Sequence, residues 1–168
     1  MSAPFFNGLL ALPPRTEDRR LKETSMTTPM WVLLGFAGWT IVTLLAGVGV
    51  VRWSQILTGR KQLSEFPADV PHGSARYRRA MRAHANCVEN LPVYGAVAVA
   101  ATAAGIHSGA VDALAVVYLI ARVLQTLTHI VFEETNAAVG VRFAFFFTQL
   151  ICVSAMGVTA AVRAAGWT

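Results

Sequence analysis

Charge is what this sequence has least of. Asp, Glu, Lys and Arg make up 14% of its 168 residues, against about 25% in a soluble domain. The distribution says more than the shortage. Charges cluster at residues 15–23, 60–89 and 133–142, and long neutral runs lie between them. Cysteine is also scarce. Cys87 and Cys152 are the only two, and neither belongs to a CxxC pair. That argues against a disulfide framework and a zinc site, so no metal is expected. Both read as small buried apolar side chains. Internal repeats and low-complexity segments are missing as well. The net charge of +5 would raise nucleic acid as a partner in a soluble protein. Here the basic residues flank apolar runs, where they orient a chain in a bilayer, so no nucleic-acid partner is expected.

What is present is apolar length. Residues 31–51 carry no charge, and a helix of that length crosses a hydrocarbon core of about 30 Å. Gly35, Gly38, Gly47 and Gly49 within it would weaken a soluble helix but in lipid permit close helix contacts. A second helix is expected to start after Ser74, a candidate N-cap. It runs through Arg76, Arg78 and Arg79 into the apolar stretch 91–106. That stretch is too short to span alone, so the helix carries Arg82 to Asn90 to membrane depth or projects beyond it. Pro92 frees one carbonyl there. The third and fourth spans are 111–132 and 143–162. The expected fold is an all-α, integral-membrane four-helix bundle with approximate helices 30–58, 75–106, 109–133 and 140–164. Residues 1–29 are expected to be a poorly ordered extension. Their apolar stretch precedes the positive charges, the reverse of a secretory signal, and Met26 and Met30 are alternative starts.

The first loop and its flanks hold Arg52, Arg60, Lys61, Arg76, Arg78 and Arg79, whereas the second loop has no Lys or Arg. The positive-inside rule therefore assigns the first and third loops to the cytoplasm. If the chain is bacterial, the membrane is the cell membrane. The start of the second helix, the end of the third and the start of the fourth then share one end of the bundle. Arg82, Asn86 and Glu89 are spaced i, i+4, i+7 on one helix face. Arg122, Gln125, His129 and Glu133 share a face of the third helix, and Arg142 opens the fourth. A charge at bilayer depth costs about 2.5–3.5 kcal/mol, so such residues pair or line a site. One reading makes Arg82 with Glu89, or Arg122 with Glu133, interhelical ion pairs that only hold the bundle. The other makes the face a site for a small zwitterionic or anionic ligand, because arginine grips carboxylates bidentately. In that reading Glu89 holds an ammonium group. A guanidinium also stabilises a thiolate, the nucleophilic form of a thiol. The polar residues gather at one end and form no path through the bilayer, which disfavours a channel.

The segment Arg82-Ala83-His84-Ala85-Asn86-Cys87-Val88-Glu89-Asn90-Leu91-Pro92 resembles the second-helix signature of MAPEG, the membrane-associated proteins in eicosanoid and glutathione metabolism, in a bacterial-type form. The pattern is roughly R-A-x-x-N-x-x-E-x-x-P, and the four-helix layout of residues 30–168 is similar too. The resemblance implies a homotrimer in the lipid bilayer, with glutathione as co-substrate between subunits near the cytoplasmic face. It implies a transferase or peroxidase acting on a hydrophobic electrophile; a non-enzymatic membrane scaffold or modulator is the alternative. Arg82, Asn86 and Glu89 match positions that contact glutathione. Arg60 resembles a basic position that helps from the neighbouring subunit, with Arg52 as a competitor. Gln125 and His129 fall near positions where the eicosanoid enzymes carry tyrosines, and Tyr118 is too early to replace them. Arg142 resembles the catalytic arginine that activates the thiol.

Overall fold

The computed structural model describes residues 26–67, 70 and 72–167. Most of the expected N-terminal extension lies outside these residues. Four long helices form the chain: α1 (Thr28–Leu57), α2 (Ala75–Ala103), α3 (Gly109–Val131) and α4 (Asn136–Ala164), with no strand among the described residues. The first begins two residues before the expected start and the fourth begins at Asn136 rather than near 140.

The ends follow from local sequence. Pro29 sits in the first turn of α1, where a missing N–H costs nothing. The Thr27 hydroxyl, at the N-cap, instead meets the Thr102 hydroxyl at 2.8 Å and ties the start of α1 to the end of α2. Ser74 and Thr135 cap α2 and α4 by accepting from the backbone N–H of Tyr77 and Ala138, each at 3.2 Å. Gly59 ends α1 with φ +65°, a conformation that needs no side chain.

α1, α3 and α4 are each long and apolar enough to cross a membrane. α2 does not meet that measure, because its first half carries Arg76, Arg78, Arg79, Arg82 and Glu89. Large apolar side chains such as Leu34, Ile41, Leu45, Ile120, Leu127, Ile151 and Val158 point outward and stay exposed. Water would oppose that surface; lipid does not. This is an integral membrane protein, and its packing is built from small residues. Ala83, Ala98, Ala101, Ala115 and Ala160 are buried between helices, as van der Waals packing in lipid favours. The core is aromatic: Tyr94 stacks on Tyr118 at 4.4 Å and both rings meet Phe36. The Tyr94 hydroxyl donates to the Pro29 carbonyl at 3.2 Å.

α1 is not uniform. Residues Thr43–Gly49 form a π-helical stretch, a local widening of the turn. It packs against the polar half of α2, where Thr43 and His84 approach to 3.4 Å. Two of the four α1 glycines sit at close contacts. A Cβ at Gly47 would lie 3.2 Å from Ala80 Cβ, and one at Gly35 would lie 3.2 Å from Leu119. Gly38 has open space, and Gly49 meets only its own helix. Gly47→Leu is therefore expected to lower stability by about 1–3 kcal/mol, whereas Gly38→Leu is expected to leave it nearly unchanged. Thermal unfolding in detergent, comparing the two variants, checks this.

Candidate functional site

The start of α2, the end of α3 and the start of α4 meet at one end of the bundle. Arg79 Nε donates to the Ile130 carbonyl at 3.4 Å, and Arg82 pairs with Glu134 at 2.7 Å. Between these elements lies an open cleft of about 450 Å³, lined by Arg82, Asn86, Gln125, His129, Glu134, Val139, Arg142, Phe143 and Phe146. Five of the sequence-predicted site residues thus line one cleft. Glu89 is exposed further along α2 and Arg60 lies in the turn after α1; neither lines it. Arg52, the competitor of Arg60, donates to the Tyr77 hydroxyl at 2.6 Å and lies over the Phe66 ring, in the first-loop cluster. A wider hollow of about 580 Å³ opens at the other end, between the α2–α3 turn and the end of α4, and gathers none of these residues.

Spacing puts Arg122, Gln125 and His129 on one face of α3, and a continuous hydrogen-bond network fixes them. Arg142 Nη1 donates to His129 Nδ1 at 3.0 Å. Arginine has no acceptor, so Nδ1 supplies the lone pair and the neutral ring carries its proton on Nε2. Gln125 Nε2 donates to the Arg142 carbonyl at 3.2 Å. Gln125 Oε1 accepts from Gln149 Nε2 at 3.0 Å and from Arg122 Nη1 at 3.1 Å. Arg122 Nη1 also donates to Asn86 Oδ1. The side chains that line the cleft are therefore oriented from behind by Arg122 and Gln149.

The ion pairs differ from expectation. Arg82 pairs with Glu134 and not with Glu89. Arg122 does not pair with Glu133 either. α3 ends at Val131, so the helical periodicity that carried Glu133 onto the Arg122 face has stopped two residues before it. Arg122 instead sits in the bundle, 1% exposed, with its charge shared between two amide oxygens and its guanidinium over the Phe36 ring. Its Nε and Nη2 make no hydrogen bond of good geometry among the described residues, and the Tyr118 hydroxyl stands against the guanidinium as its remaining polar neighbour. Sequence reasoning missed Glu134 and Gln149 and misread Arg122. Gln149, a polar residue in the uncharged fourth span, was the available signal.

The cleft presents two arginines, an imidazole, two amides and one carboxylate, groups that match a small ligand bearing both charges. Its Val139, Phe143 and Phe146 wall offers apolar surface next to those groups. A MAPEG family model matches residues 29–162. The chain belongs to the MAPEG family. That family includes glutathione transferases and peroxidases as well as non-enzymatic members. No curated protein matches this MAPEG chain significantly. Among the described residues there is no cluster of metal-ligating side chains.

Proposed function

We propose that this MAPEG protein is a membrane-bound glutathione-dependent transferase or peroxidase acting on lipophilic electrophiles. The observation that carries the proposal is the convergence of Arg82, Asn86, Gln125, His129 and Arg142 on one cleft. Glutathione has two carboxylates, an ammonium group and a thiol. Arg82 takes a carboxylate, Asn86 and Gln125 take the peptide groups, and Arg142 with the His129 Nε2–H stabilises the thiolate. Family membership favours a homotrimer with the ligand between subunits. Glu89 and Arg60, which do not line the cleft of a single chain, then contribute across that interface. Residues 30–168 form the functional domain, with the first and third loops cytoplasmic by the positive-inside rule.

The reaction needs a dry approach for the electrophile. Phe143 and Phe146 form part of the cleft wall, and the exposed Phe147 ring continues it along α4. A hydrophobic electrophile enters laterally from the lipid along these rings and meets the sulfur beside Arg142. The thiol proton passes to water at the open mouth of the cleft, the thiolate attacks the electrophilic carbon, and the new carbon–sulfur bond forms as the bond to the leaving group breaks and that group departs as an anion. Calorimetry of glutathione in detergent and a conjugation assay with a hydrophobic aryl halide test the proposal. Saturable binding and turnover above the solution rate are expected. Absence of binding at millimolar glutathione would sink it.

The scaffold alternative draws on one observation: Arg122, Asn86, Gln125 and Gln149 already hydrogen-bond to one another. It expects Arg82→Ala to dissolve the oligomer in a protein that never turns over.

A further inference from the structure

Among the described residues, Glu134 is the only acidic side chain lining the cleft. It stands in the α3–α4 turn, on no periodic face, and its carboxylate lies 2.7 Å from Arg82 Nη1. Both side chains remain about half exposed, at 49% and 60%. A pair so exposed is held weakly, so another carboxylate can replace Glu134 on Arg82 at little cost.

From this we infer that Glu134 is the specificity-determining residue for a ligand bearing an α-amino-carboxylate head. This rests on the thiol-binding reading above. When the ligand's carboxylate takes the Arg82 guanidinium, the Glu134 carboxylate is released beside it. The ligand's ammonium group, attached to the same carbon as that carboxylate, then becomes its new partner. One ion pair is exchanged for two, and no charge in the cleft is left uncompensated. A ligand with the carboxylate but no ammonium displaces Glu134 without giving it a partner, and binds less well. Glu89 has no such opportunity within one chain, because it does not line the cleft.

The test compares glutathione with glutaryl-cysteinylglycine, which lacks only the ammonium group. Each is titrated by calorimetry into wild-type protein and into Glu134→Gln, both in detergent. Wild type is expected to prefer glutathione by about fivefold, the worth of one such ion pair. In Glu134→Gln the preference is expected to vanish: glutathione binds more weakly, while the deamino analogue binds as well or better because Arg82 is freed. If both ligands tighten equally, Glu134 is only a competitor for Arg82 and the inference is overturned. If both weaken equally, Glu134 serves the fold and the inference is again overturned. If wild type shows no preference between the ligands, it fails outright. If neither ligand binds wild-type protein, the thiol-binding reading itself has failed, a result separate from the other three.

Discussion

Arg142→Ala is expected to lower glutathione conjugation by about 10²–10³-fold while the bundle stays folded. The magnitude is that of removing one preorganised electrostatic group from developing charge. Arg142 is 8% exposed, but one of the contacts by which it ties α4 to α3 uses its backbone: Gln125 Nε2 donates to the Arg142 carbonyl. Alanine keeps that carbonyl. What alanine removes is the guanidinium that donates to His129 Nδ1 and to the Ala138 carbonyl. Arg142→Lys keeps a positive charge without the planar fork and is expected to recover part of the rate. Rates with a hydrophobic aryl halide, together with oligomer size by light scattering, check both variants. A rate loss accompanied by unfolding or a changed particle size relative to wild type would show a structural role instead.

The second large effect is expected at Arg122, and it separates stability from function. Arg122→Met is expected to keep or raise the thermal midpoint in detergent. It is also expected to weaken glutathione binding by about tenfold or more. Arg122 carries a buried charge that is met by two amide oxygens and the Tyr118 hydroxyl but by no carboxylate among the described residues. Replacing buried ionic groups with apolar side chains of similar volume is often neutral or stabilising. Gln125 Oε1 keeps its bond from Gln149 after the change. Asn86 lines the open cleft, so its freed amide is expected to turn to water. Asn86 nevertheless loses the donor that fixes its amide, and tenfold corresponds to about one hydrogen bond's net worth. Thermal unfolding and calorimetry on the same preparation read the two effects apart. An unchanged affinity would mean that Asn86 is held by something other than Arg122.

Much of this was legible in the sequence, for physical reasons. Apolar length marked α1, α3 and α4 because lipid demands about 20 uninterrupted residues. The polar first half of α2 marked it as more than an anchor. Spacing identified Arg82 with Asn86, and Gln125 with His129, because helical periodicity fixes which side chains share a face. Depth was not legible. Glu89 shares the Arg82 face but lies two turns further on, about 10 Å along the axis, past the residues that line the cleft. Periodicity also fails where a helix stops. Glu133 fell on the Arg122 face only while α3 was drawn through it, and the residue that reaches Arg82 is Glu134 in the turn. The π-helical stretch Thr43–Gly49 had no sequence mark beyond its glycines. Tyr118 was set aside as too early for the site, and it stacks on Tyr94 in the core.

The measurement that bears most directly on the central claim is the ultraviolet absorbance of the thiolate when glutathione is added at neutral pH. A free thiol with a pKa of about 8.5 is mostly protonated there. Wild-type protein is expected to produce a saturable thiolate band, and Arg142→Ala is expected to bind glutathione without producing it. Saturable glutathione binding with no thiolate band in wild type would contradict the claim that this cleft activates a thiol.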